Sequence, residues 1–190
     1  ENRILLGRES SLRAIKALGD AGTLSIRDVS AEDDGFHLKQ VGKDIVVAGA
    51  NPRGVLYGVY AFEDFVYGGS GTTLDVKKVP YYRKRGSGLH YTDVIFNAKL
   101  EAFPEENAVC LSRLGINEFT DQGIGGNLRK FVQSDIFSFQ TPPEPDFQRR
   151  VKDLSAVCRK YGIDVYLFLV EPALETLPGG FASYPEEALE

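Results

Sequence analysis

His90, Asp121 and Glu171 are residue types that together could do proton-transfer chemistry. One imidazole and two carboxylates suffice for general acid and base work where they converge on one pocket. Each stands where a β-forming run gives way to polar residues, with Tyr91 and Gln122 beside the first two. Ligands of parallel α/β folds meet the carboxyl ends of the strands, so these positions are the first candidates for a binding site. Arg83 and Arg85 add cations able to clamp a carboxylate or a pair of hydroxyls. Structural roles account for the same residues: strand-end acids also cap the next helix, His90 can bond a neighbouring backbone group, and a solvated connector explains the arginines.

Gly123 to Asn127 follows a strand and precedes a possible helix, the context in which glycines let backbone amides approach a phosphate. Leu128 replaces the last glycine of the dinucleotide fingerprint, and the lysine and serine of a Walker loop are missing, so nucleotide binding rests on an incomplete motif. The proline-rich stretch from Thr141 to Pro145 reads as a stiff loop leading into a helix. His37 and His90 are far apart and not in ligand spacing; neither a metal nor a cofactor is expected. Cys110 and Cys158 each precede a helix-ending glycine and are expected to pack as small core hydrophobes.

The elements that must position these residues follow from periodicity. Ile45 to Ala48 has the composition of a central strand, Asn51 supplies an N-cap, and Pro52 takes the first helical position. In the ensuing helix Val55, Val59, Phe62 and Val66 fall on one face, and Gly58 implies the close approach of another backbone. Gly68 and Gly69 end it. Earlier, Ile4 to Leu6 forms a strand and Ser11 introduces a helix carrying Leu12, Ile15 and Leu18, ended by Gly19. Phe36 to Val41 pairs with Ile45 to Ala48 as a hairpin. These predict a small α+β layer with its helices on one face of a sheet.

From Thr72 to Arg85 the chain reads as a polar connector, with a domain boundary between residues 80 and 81. Beyond it come a strand at 86–90, a helix at 105–114 with Val109 and Leu114 inward, a strand at 116–120, a helix at 146–161 and a strand at 163–170. Gly115 and Gly162 each stand at a helix C-cap before a strand. Strands alternating with helices imply parallel pairing. Three such units cannot close an eight-stranded barrel, which takes about 250 residues, and the last residues resemble a new helix start, so the chain is expected to be cut short.

The net charge of -5, from 22 basic and 27 acidic residues with no basic stripe, argues against a nucleic-acid partner. No apolar run approaches the roughly 20 residues of a membrane span, and no signal-peptide pattern opens the chain. The sequence begins at Glu1 and contains no methionine. A secreted or periplasmic protein with a removed leader therefore stays open, as does the oligomeric state.

The stretch from Asp44 to Tyr60 resembles the N-terminal domain that precedes the catalytic barrel in α-glucuronidases and β-N-acetylhexosaminidases. Leu114 to Asn117 and Cys158 to Leu167 look like the second and third barrel strands with their preceding helices, closest to the α-glucuronidase pattern. The resemblance implies a noncatalytic α+β domain over 1–80, similar to the second domain of hexosaminidases. It implies the first units of a truncated (β/α)8 TIM barrel over 81–190, and hydrolysis of glycosidic bonds in an oligosaccharide or polysaccharide. The pattern is incomplete: without tryptophan the Trp-Asp-Asn element of α-glucuronidases is missing, Ser87 to Tyr91 standing in its place, and the hexosaminidase His-Trp-His signature is absent near Asp121. Arg85 and Gly86 resemble the pair that opens the hexosaminidase barrel and contacts sugar hydroxyls. By this resemblance Arg85, His90, Asp121 and Glu171 face the sugar, while the acid carboxylate belongs to the fourth strand or later, beyond Glu190. The alternative, from another class, is a carbohydrate-binding or scaffolding module without turnover.

Overall fold

Ile45, Val46, Val47 and Ala48 form a strand with neighbours on both sides, and the first sheet is laid out around it. The structure, a computed structural model, describes residues 2–69, 73–87, 105–121 and 145–167. The chain divides into two compact units, Glu1–Arg85 with Leu111–Gly115, and Gly86–Cys110 with Ile116–Glu190.

The first unit holds β1 (Ile4–Gly7), α1 (Arg13–Asp20), β2 (Phe36–Val41), β3 (Asp44–Gly49), α2 (Pro52–Gly68) and β4 (Asp75–Lys78). The strand order is β1-β3-β2-β4. β1 runs parallel to β3, and β2 is antiparallel to both β3 and β4. Val41 faces Asp44 across a two-residue turn whose first position, Gly42, has φ +61°. Only glycine adopts that conformation without strain, which fixes the hairpin register.

The sheet is covered on both faces rather than one. Val46 and Ala48 pack with Ile15 of α1 and with Leu24 and Ile26, while Val47 packs with Phe36, Leu38 and Tyr57 of α2. Alternation along β3 sends successive side chains to opposite sides, and an unbroken apolar run is what a strand buried on both faces requires. α2 starts as the sequence dictates, Asn51 Oδ1 accepting from the Gly54 amide at 2.7 Å with Pro52 at the first position. Its innermost residues are Gly54, Tyr57 and Gly58, whereas Val66 is exposed. A Cβ on Gly58 would meet the side chains of Val47 and Phe36; the backbone approach expected there occurs one turn earlier, where a Cβ on Gly54 would run into the Gly35 carbonyl.

The connector also departs from its expected form. Asp75–Lys78 is an edge strand, paired to β2 from Phe36↔Lys78 to Lys39↔Asp75, with Leu74 buried just before it. Its polarity is that of an edge, where lysines discourage further pairing. On one face His37 joins it to the core: Nδ1 accepts from the Ser25 amide at 2.9 Å and Nε2 lies 2.7 Å from Asp75 Oδ1, while Lys39 Nζ lies 2.8 Å from Asp75 Oδ2. Hydrogen bonds from His37 and Lys39 hold the Asp75 carboxyl below the ordinary carboxylate range. A carboxylate lowered on folding adds stability above its unfolded pKa and loses it as pH falls through its folded pKa. The gap in urea midpoint between the wild type and Asp75→Asn, measured from pH 7 downward, is therefore expected to narrow as pH falls below about 4. A gap that stays constant or widens as pH falls contradicts the assignment.

The second unit holds β5 (Gly86–Ser87), α3 (Glu105–Arg113, whose last residues belong to the first unit), β6 (Glu118–Asp121), α4 (Pro145–Lys160) and β7 (Asp164–Leu167). Its strands lie in the order β5-β6-β7, all parallel, as alternation of strand and helix implies. Gly115 and Gly162 have φ +81° and +70°. At Gly162 the ending is a complete Schellman pair, Gly162 N–H to the Arg159 carbonyl at 3.1 Å and Ile163 N–H to the Cys158 carbonyl at 2.9 Å. Leu154, Cys158, Ile163, Phe119 and Asn117 are buried.

Two inward expectations for α3 fail: Ala108, Leu111 and Ser112 are its buried side chains, while Leu114 is exposed and Val109 only half-buried. Cys110 is likewise exposed, not a core thiol, whereas burial pushes the Cys158 thiol up to about 11. Reaction with a maleimide at neutral pH is expected to label Cys110 alone in the native protein and both cysteines in denaturant, mass spectrometry of peptides providing the count. Native labelling of Cys158 contradicts its burial.

Candidate functional site

Of the sequence candidates, Asp121, Arg83 and Arg85 fall among the described residues. Asp121 is the last residue of β6, level with Leu167 of β7. Ser87 of β5 is level with Phe119, two residues before Asp121. The hydrogen-bonded register thus places Asp121 at the strand end where ligands of parallel sheets are met. His90 and Glu171 lie outside the described residues, as do Gly123 to Asn127 and the loop from Thr141.

Arg85, at the end of the first unit, is held by the protein itself. Its Nη2 donates to Asp34 Oδ2 at 2.6 Å and to Tyr57 Oη at 3.3 Å, its Nη1 to the Tyr82 and Arg83 carbonyls at 2.6 and 3.1 Å, and its Nε to the Gly115 carbonyl at 2.5 Å. The guanidinium also lies 5.6 Å from the Tyr57 ring centroid. Arg83 pairs with Glu32 and Asp33 at 2.5 and 2.7 Å.

Behind Arg85 stands Asp34, which sequence reasoning did not single out. Its side chain is 1% exposed. Besides Arg85 it accepts from Asn51 Nδ2 at 3.0 Å and faces Arg53 Nη1 at 3.4 Å. Asn51 therefore does two things: Oδ1 caps α2, and Nδ2 ties the 31–34 loop by also donating to the Ala31 and Asp33 carbonyls at 3.2 Å. A buried carboxylate is tolerated because it is paired and hydrogen-bonded from several sides. Burial pushes the Tyr57 phenol up, against the opposing hydrogen bond from Arg85, so it stays neutral. The legible signal was the Asp34-Gly35 pair before β2, a sequence common in turns; nothing local marks the arginines as partners of Asp34.

Beside this network, within the first unit, a pocket of about 410 Å³ opens between α2, β4 and the segment after it. Phe36, Tyr57, Tyr60 and Ala61 contribute to its walls, with Val76, Lys78, Tyr81 and Tyr82. Arg113 lies 4.6 Å over the Tyr60 ring and pairs with Glu63 and Asp64. Among the described residues no group of His, Cys, Asp and Glu could hold a metal ion.

No protein-family model matches the chain. Among solved structures it is similar to a GH138 enzyme targeting pectin rhamnogalacturonan II, at 16% identity and a TM-score of 0.57 over 88% of this chain and 24% of that one. It is also similar to CpGH84B, at 12% identity and a TM-score of 0.52 over 81% of this chain and 26% of that one. The fold is thus one found in glycoside hydrolases, and the chain spans about a quarter of the length of each structure.

Proposed function

We propose that this chain is part of a glycoside hydrolase that cleaves O-glycosidic bonds of an oligosaccharide or polysaccharide, of α-glucuronidase-like or hexosaminidase-like type. The observation that supports it most is the sheet β5-β6-β7, three parallel strands in chain order with a helix in each connection. That is the repeating unit of a (β/α)8 barrel, and the chain shares its fold with glycoside hydrolases. In this reading residues 1–80 are a noncatalytic α+β domain and 81–190 open the barrel.

His90, Asp121 and Glu171 then face the sugar from successive strand ends. Carboxylates at such positions accept hydrogen bonds from hydroxyl groups, and bonds that strengthen as positive charge grows on the ring favour the transition state over the bound substrate. Protonation of the leaving oxygen falls to a carboxyl group outside this sequence. With its donors engaged by Asp34, Tyr57 and three carbonyls, Arg85 serves as a positioning residue within the first unit.

In the protein that carries this chain, Asp121→Asn is expected to lower kcat/KM for glycoside hydrolysis by about 10- to 100-fold, about 1.4 to 2.8 kcal/mol of transition-state binding, with an unchanged melting temperature. Assays on aryl glycosides and on pectic and xylan oligosaccharides provide the measurement. Undiminished turnover removes Asp121 from the site, and binding of these saccharides without hydrolysis replaces the enzyme by a binding module.

A further inference from the structure

The pocket of the first unit combines features that the strand-end site does not explain. Its base is formed by the buried Phe36 and Tyr57, but its rim leaves Val76, Tyr81, Tyr82 and Leu114 at 41, 91, 68 and 73% exposure. Scattered exposed apolar residues are ordinary; four around one concavity mark a binding surface. The volume of about 410 Å³ falls within the roughly 300–1,000 Å³ of small-molecule sites. Tyr81 and Tyr82 meet edge to face, 4.8 Å between centroids, so that their ring faces point in different directions.

The charges select among ligands. Asp34 is shared by Arg85 at 2.6 Å and Arg53 at 3.4 Å, and Arg113 is shared by Glu63 and Asp64, so the three carboxylates and three guanidiniums of these networks balance. Lys78 is different. On β4, Asp75 and Lys77 face the α1 side, where Lys77 Nζ pairs with Asp28 at 2.6 Å, whereas Val76 and Lys78 are level with Leu38 and Phe36 on the α2 side. Among the described residues Lys78 has no counter-ion, and it lines the pocket. The lining therefore offers aromatic faces, phenol hydroxyls and one uncompensated cation.

From this we infer that the pocket is a second saccharide-binding site, separate from the strand ends, and that it takes a sugar bearing a carboxylate. A pyranose has an apolar C–H face for the tyrosine rings and hydroxyls for their polar tips. Its carboxylate answers Lys78. The inference goes beyond the hydrolase reading, because a noncatalytic binding domain can carry this site equally well.

The test is isothermal titration of the chain with trigalacturonate and with xylotriose as its neutral counterpart. Trigalacturonate is expected to bind, Tyr82→Ala to weaken it by about tenfold and Lys78→Gln by about fivefold, while Lys78→Gln leaves any binding of xylotriose unchanged. Lys78, Tyr81 and Tyr82 are exposed, and unchanged melting temperatures of the variants verify that the fold is intact. Failure of trigalacturonate to bind at millimolar concentration overturns the site, as does binding indifferent to Tyr81→Ala, Tyr82→Ala and Lys78→Gln alike. Self-association abolished by Tyr82→Ala with no saccharide bound overturns it too, in favour of a contact between copies. Because Asp121→Asn tests turnover at the other site, neither result decides the other.

Discussion

Asp34→Ala is expected to lower the unfolding free energy of the first unit by about 3 kcal/mol, measured by urea denaturation at pH 7. The substitution removes the one carboxylate that Arg85, Arg53 and Asn51 share, and leaves their donors facing a site that is 1% exposed. Breaking a buried pair from one side costs about 3–5 kcal/mol. The lower end applies because Arg85 and Arg53 are 18 and 23% exposed and can recover part of their solvation. Asp34→Asn keeps one acceptor and an amide of the same shape, so its loss is expected to be smaller. Equal stability of the wild type and Asp34→Ala contradicts the role given to the network, and a larger loss for Asp34→Asn reverses its logic.

Gly54→Ala sets two effects against each other, and their sizes decide the sign. Helix propensity alone favours alanine by at most about 1 kcal/mol, the helix-interior value, since Gly54 stands in the first turn of α2. The added methyl, however, meets the Gly35 carbonyl oxygen and carbon and the Asp34 carbonyl carbon, all backbone. Backbone leading into a strand paired on both sides cannot turn aside as a side-chain tip can, and overpacking of this kind costs typically about 1–3 kcal/mol, occasionally more. A net loss of about 2 kcal/mol is therefore expected, with a melting temperature lower by several degrees. A Gly54→Ala protein more stable than the wild type contradicts the close approach of α2 to the 34–35 backbone.

The elements that were legible in the sequence are those whose signals are local. Asn51 and Pro52 announce α2, Gly42 the hairpin turn, and Gly115 and Gly162 the ends of α3 and α4, because each depends on a few adjacent residues. The parallel order of β5, β6 and β7 was legible too, since alternation of strand and helix leaves few other connections. What escaped depends on partners far along the chain. Asp75–Lys78 is a strand only because β2 offers it an edge, and its own residues are mostly polar. The two-sided burial of β3 was implied by its unbroken β-branched run, and weight given to the α2 pattern alone hid it. Arg85 was selected for its chemistry, but its acceptors include Asp34, 51 positions earlier, and the Gly115 carbonyl, 30 positions later.

The order β1-β3-β2-β4 also sets a timetable for assembly. β2 and β3 close across two residues, whereas Arg3 at the head of β1 finds Asp44 only 41 positions later. Loop closure over the longer span carries the greater entropic cost, so the hairpin is the natural nucleus and β1 the late arrival. During synthesis β1 leaves the ribosome before β3, and it has no edge to join until β3 has emerged.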